Sequence, residues 1–236
     1  MVNTVQIAFL GGFLGVKERQ EREREAVSRS ILDAARDLFV AEGYHNVSIR
    51  KIAERIEYSP AAIYSYFPSK DDIFFALAEE GFRILFTPPA RRADELDGDL
   101  VNGIRQAFWR VYEFSKSHPE YFALMFLDRT VPQISQNWER FEFVRDGKAQ
   151  LGAGIQRAID AGLFPAGTQA HAVFRILVAA TTGAAVARLC GRVAPGEDSD
   201  ALARDTLEAA LTGLRTGFPT TFVSTDCAKP LSDATE

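Results

Sequence analysis

From Val47 to Lys70 the chain reads VSIRKIAERIEYSPAAIYSYFPSK, a run that opens one helix, turns, opens a second and then opens a third. Ser48 is an N-cap residue type, and Val47 and Ile52 flank it at the spacing of a hydrophobic staple. Ser59 repeats the grammar. Tyr58 precedes it, Pro60 stands at the first helical position, where a missing N–H costs nothing, and Ile63 takes the second place of the staple. Ile49, Ile52, Ala53 and Ile56 follow the i, i+3, i+4, i+7 rule, which buries one face of the first helix. Only Glu57 and Tyr58 separate the two helices, and Ser69, with Asp72 three residues on, caps the next. Two short helices joined by so tight a turn form a helix-turn-helix, a motif whose second helix can enter the DNA major groove.

The flanking sequence extends the helical pattern in both directions. Upstream, Val27, Ile31, Ala35, Leu38 and Phe39 share a face and Gly43 ends the helix. Downstream, a helix from Lys70 to about Phe86 turns Ile73, Leu77 and Ile84 inward before Thr87-Pro88-Pro89 stops it. The charged, turn-prone segment 90–99 separates this part from the rest. Leu100, Ile104, Phe108 and Val111 then line a helix ended by His118-Pro119. Tyr121–Leu127 is apolar almost all round and predicts a fully buried central helix. Ile134, Trp138, Phe141, Leu151, Ile155 and Ile159 carry a long helix toward Gly162, and two more follow at about 169–190 and 199–218. No strand pattern competes, so the expected class is all-α with about nine helices.

Before Lys17 the chain is apolar, but too short and too interrupted by Asn3 and Gln6 to span a bilayer, and no cation precedes the apolar run as in a secretory signal. It reads either as a flexible extension or as a start placed upstream of the true one, and is expected to be dispensable. Residues 17–29 alternate basic and acidic groups, a solvated lead-in from which Arg22, Arg24 and Arg29 can reach phosphates. The net charge of −5 argues against a chain coated in nucleic acid along its length while permitting a local basic patch. Cys190 and Cys227 show neither metal nor disulfide spacing, in keeping with a reducing cytoplasm.

Three stretches carry a resemblance to a known family: AARDLFVAEGY (34–44), SIRKIAER (48–55) and SPAAIYSYFPSK (59–70). Together they resemble the TetR/AcrR-type transcriptional regulators over roughly residues 25–85, in order and without gaps. The resemblance implies a three-helix DNA-binding domain at 25–85, with the helix-turn-helix at about 48–67, and a larger helical ligand-binding and dimerisation domain at 86–218. A flexible 1–24 and a disordered tail at 219–236 flank them. Glu57 departs from the pattern, since the family usually has a small residue or glycine there. If the turn needs a positive φ, glutamate is a strained choice.

Reading by a helix needs short side chains toward the bases and polar groups toward phosphates. Ala61 and Ala62 suit thymine methyls, Ser59 and Ser65 can hydrogen-bond, and Tyr64, Tyr66 and Lys70 can reach phosphates, as can Ser48, Arg50 and Lys51 on the other side. The resemblance marks the positions of Ser48, Arg50, Ala61, Tyr64, Tyr66 and Lys70 as the usual contacts. Ser48 and Ser59 serve as caps in any case, Ile63 and Phe67 are core, and of the two tyrosines Tyr64 is expected to be partly buried and Tyr66 exposed.

In the second domain Phe108, Trp109, Tyr112, Met125, Trp138, Phe141, Phe174 and Thr182 are the candidate lining of an apolar effector pocket, a feature the resemblance also implies. Ala179, Gly183 and Ala187 on one helix and Ala209, Gly213 and Gly217 on the next form strips of small residues at four-residue spacing. They suit either an intrachain contact or an isologous four-helix dimer interface, which the resemblance implies. The expectation is therefore a cytoplasmic homodimeric regulator. It would bind a palindromic DNA operator, most simply as a repressor released by a small apolar effector, with no cofactor, metal or membrane. The alternative is an architectural or cell-division factor of the same fold without an effector. An enzyme fits poorly. Asp71-Asp72 is superficially similar to the aspartate-rich magnesium motif of terpene cyclases, but it fills the first turn of a helix, where carboxylates are stabilising anyway. His45, His118 and His171 lack ligand spacing.

Overall fold

The computed structural model describes residues 4–87, 99–133 and 139–217, with side chains from residue 16 onward. Among them all regular structure is helical: α1 (Thr4–Glu42), a 3₁₀ turn (Tyr44–Asn46), α2 (Ile49–Arg55), α3 (Pro60–Tyr64), α4 (Lys70–Phe86), α5 (Leu100–Ser117), α6 (Pro119–Phe126), α7 (Glu142–Asp160), α8 (Ala170–Leu189) and α9 (Ser199–Thr216). The expected tail at 219–236, most of the linker before α5, Ile134 and Trp138 lie outside the described residues.

Helix starts fall where the caps are. The Ser48, Ser59 and Ser69 hydroxyls accept the N–H of Lys51 (3.2 Å), Ala62 (3.1 Å) and Asp72 (3.1 Å), and Ser69 Oγ donates back to the Asp72 carboxylate at 2.7 Å. Each cap satisfies an N–H that the first helical turn leaves without a partner. Gly43, at φ +81°, separates α1 from the 3₁₀ turn. At the other end of the chain, Gly217 takes a left-handed conformation and caps α9, so its place in the small-residue strip is explained by helix termination.

Three expectations are corrected. First, the anticipated flexible lead-in to residue 24 is, from Thr4 on, continuous with α1. Its alternating charges sit at helical spacing, as in the exposed Arg19–Glu23 pair (3.4 Å), and no proline interrupts it. Second, α6 is not fully buried: Tyr121, Phe122 and Leu124 point inward while Phe126 is exposed. Third, the compact units do not divide at residue 86. One comprises 1–95 with 113–147, the other 96–112 with 148–236. α6 therefore belongs with α1 and α4, because its rings need covering and those helices supply the cover.

In the first unit, Phe74, Phe75, Phe82, Phe122, Phe126 and Phe141 form a connected set of edge-on and tilted ring contacts with centroids 4.8–6.3 Å apart. α4 approaches α6 closely at Gly81, where a Cβ would meet the Met125 sulfur at 2.4 Å. In the second unit Val101, Ile104, Phe108, Ile155, Val173, Leu177, Leu207, Leu211 and Leu214 form the core. The α5 face is thus Val101/Ile104/Phe108/Tyr112, one position away from the expected Leu100/Val111 edge. α8 and α9 pack through Val173 and Leu177 against Leu207, Leu211 and Leu214. α8 is long and apolar enough to cross a membrane by length and composition, yet only 33% of its most apolar stretch is buried.

Candidate nucleic-acid interface

α2 buries Ile49, Ile52 and Ala53 and ends in a left-handed turn at Glu57 (φ +59°). The Tyr58 N–H reaches back to Ala53 O (2.9 Å) and the Glu57 N–H to Glu54 O (3.4 Å), the Schellman pair of bonds. The turn does require positive φ, and glutamate bears it. Tyr58, the outer residue of the second expected staple, is 45% exposed. Ile63 alone is buried in α3 and fastens it.

With Ile63 inward, Ala61, Tyr64 and Ser65 are exposed, Tyr64 to 53%, while Ala62 and Tyr66 are half-buried. The order expected for the two tyrosines is reversed. Tyr66 lies three residues beyond Ile63 and shares its face, whereas Tyr64, one residue beyond, is rotated away. Phe67 is also only half-buried. Arg24 of α1 stacks on Tyr66 (guanidinium carbon 5.4 Å from the ring centre) and donates to Ser65 O (3.4 Å). Arg24 therefore borders the end of α3, where a solvated lead-in had been the simpler expectation. Arg29 instead turns inward, onto Glu80 (2.7 Å) and Asp33 (2.9 Å).

On the α2 side Ser48 and Arg50 are exposed. Arg50 pairs with Glu54 at 2.8 Å and Lys51 with Glu42. Exposed pairs of this kind are worth about 0–1 kcal/mol, so a phosphate can displace Glu54 at little cost. Lys70 is held more firmly. Its ammonium donates to Tyr44 O and Val47 O, both at 2.9 Å, and sits 4.1 Å from the Tyr44 ring centre. Two of its three protons are thereby used, and its first task is to hold the start of α2 to the start of α4.

Sequence reasoning missed Tyr44. The residue is buried, its hydroxyl meets Asp71, its N–H donates to Asp128 (2.9 Å), and its ring touches Phe39 and Phe74. Burial, and then the Asp71 carboxylate, push its phenol well above the ordinary tyrosine value. An aromatic residue directly after a helix-ending glycine was the one available signal.

The expected effector-pocket residues fall in both units. Phe108, Trp109, Tyr112, Phe174 and Thr182 lie in the second unit, Met125 and Phe141 in the first, and Trp138 is outside the described residues. Phe108 and Phe174 meet edge-on in the core (5.6 Å), and Phe141 packs on Phe75 and Phe82. Tyr112 is buried and donates to Asp200 at 2.8 Å. Large rings at helical spacing filled cores here. The Thr182 hydroxyl is buried without a partner. Among the described residues no group of acidic, histidine or cysteine side chains has the arrangement of a metal site.

Residues 31–77, from the buried face of α1 to the middle of α4, match the family model of bacterial regulatory proteins, tetR family. The chain carries the helix-turn-helix domain of the tetR family. This tetR-type segment is 44% identical over 52 residues to the HTH-type transcriptional repressor Rv1474c of Mycobacterium tuberculosis, an overlap covering 22% of this chain and 28% of that protein. A longer match, 30% identical over 131 residues, covers 52% of this chain and 65% of the nucleoid occlusion factor SlmA of Vibrio campbellii. The chain thus spans less than two thirds of either relative. Among solved structures, the transcriptional regulator FadR of Bacillus subtilis in complex with stearoyl-CoA has a TM-score of 0.61 at 17% identity, covering 78% of this chain and 98% of that one. The likeness in fold to that structure therefore extends well beyond the helix-turn-helix.

Proposed function

We propose that this protein is a DNA-binding transcriptional regulator, most simply a repressor, that acts in the cytoplasm as a homodimer on a palindromic operator. The observation that carries this is α3. It is pinned by Ile63 alone, and it presents Ala61, Tyr64 and Ser65 outward between the exposed start of α2 and Arg24. That is the short-side-chain face, with polar and cationic flanks, that base contact and phosphate contact need. In this reading the protein acts by binding and has no catalytic residue or cofactor.

The dimer reading is supported by what α8 and α9 leave uncovered. Their intrachain contact uses the large aliphatic faces, while Ala179, Gly183 and Ala209 are exposed and Ala187 and Gly213 half-buried. A Cβ added at Gly183 meets nothing within 4 Å. A strip of small residues facing outward on an apolar helix suits close approach by a second copy, forming an isologous four-helix interface. Two α3 helices would then stand one duplex turn apart, roughly 34 Å. The small apolar effector is the finer part of the proposal. It draws on the FadR neighbour, whose solved structure holds stearoyl-CoA. The longer match to a nucleoid occlusion factor favours the second reading, a DNA-bound factor without an effector.

Binding-site selection from random duplexes, followed by gel shifts with a series of acyl-CoA esters, tests the proposal. We expect a two-fold symmetric site, loss of specific binding in Ala61→Asp, and release by a long-chain ester. A symmetric site that no ester releases would favour the second reading, and no enriched site would defeat both.

A further inference from the structure

A cleft of about 240 Å³ opens in the first unit where the C-terminal turns of α1 meet α6. Phe39 and Val40 form one wall, Ala123, Leu124 and Leu127 the other, and Asp128 stands among them. Val40 is 43% exposed although its neighbours Leu38 and Phe39 are core, so the mouth of the cleft is apolar and open.

Asp128 makes this more than an imperfect fit. One carboxylate oxygen accepts the Tyr44 N–H (2.9 Å), and the other accepts both the N–H (2.8 Å) and the hydroxyl (2.7 Å) of Thr130. Partial burial raises its pKa, but these hydrogen bonds outweigh that and hold it below the usual carboxylate value. The group is therefore a fixed negative charge. Among the described residues it is in no ion pair, whereas Asp33 and Glu80 in the same unit both pair with Arg29. A neutral occupant would strip water from this charge and give nothing back. A cation with an apolar body would cover the aliphatic walls and neutralise the charge at once.

We propose that the cleft between α1 and α6 binds a small organic cation, its apolar body against Phe39, Val40, Leu124 and Leu127 and its ammonium on Asp128. The carboxylate it meets is the one that holds the Tyr44 N–H in the turn leading into α2, so the occupant shares an anchor with the helix-turn-helix.

The test is isothermal titration of the full chain at neutral pH with 2-phenylethylammonium and, as its neutral counterpart, 2-phenylethanol. No DNA is present, so the result stands apart from the regulator reading. We expect saturable binding of the cation and binding of the alcohol weaker by about tenfold or more, the worth of a charge-assisted contact. Asp128→Asn keeps an acceptor for Tyr44 and should reduce the cation to the level of the alcohol. Val40→Trp, which fills the mouth from a position already exposed, should abolish binding of both, and it decides the matter if Asp128→Asn does not fold. Equal affinity for cation and alcohol, binding that survives Val40→Trp, or no saturable binding at millimolar cation would overturn the proposal.

Discussion

Glu57 is the residue whose sequence raised a conditional question that the backbone answers. A side chain in the left-handed region costs about 1–2 kcal/mol, which glycine avoids at some cost in chain entropy. Glu57→Gly should therefore stabilise the protein by about 1 kcal/mol and raise its melting temperature by about 2–4 °C. Thermal melting followed by circular dichroism checks this, and a lower midpoint would mean that the glutamate side chain itself holds the turn. The caps at Ser48, Ser59 and Ser69 were legible because a cap is chemistry within three residues. Tyr44 was not, since its polar partners Lys70, Asp71 and Asp128 are 26, 27 and 84 residues away. The tyrosine order failed for a related reason: only a fixed orientation of Ile63 decides which neighbour shares its face.

α3 is five residues long and too short to be stable by itself, so its position rests on packing. Ile63→Ala should cost about 2–5 kcal/mol and loosen α3 before the rest of the unit. Hydrogen exchange should show early loss of protection at Ser65–Phe67, and protection unchanged there would mean that Arg24 and Tyr66 suffice to hold the helix. The link between the 3₁₀ turn and α6 carries a pH dependence. Asp128 has a folded pKa below its unfolded value, so the stability it contributes is present above the ordinary aspartate range and lost as pH falls through the folded value. Glu79, whose burial is outweighed by hydrogen bonds from Arg140 and Arg83, acts in the same direction. Acid denaturation of Asp128→Asn should be flatter than that of the parent over the window below about pH 4. Identical slopes would show that the carboxylate is equally perturbed in the unfolded chain.

For the whole molecule, helix class was legible because caps and breakers mark the helix ends and 3.6-residue periodicity survives in helices such as α5, α7 and α9, whereas the grouping of helices into units was not. Nothing local distinguishes a helix that covers α1 and α4 from one that covers α8. The expected effector pocket meets the same limit: aromatic residues at core spacing look alike whether they fill space or surround it. Gly183→Leu is the direct probe of assembly, because the added side chain finds open space within one chain. It should leave helical content unchanged, shift sedimentation from dimer to monomer, and weaken operator binding at least tenfold, given about 1–3 kcal/mol for overpacking a seam. A dimer of normal affinity would place the interface elsewhere. The uncovered face of α8 also has a consequence in numbers of molecules. If a second copy covers it, folding and pairing share one equilibrium, and the melting temperature must rise with protein concentration. While the chain is scarce and mostly unpaired, occupancy of a symmetric operator grows as the square of its abundance, so halving the supply of chain would leave about a quarter of the bound sites.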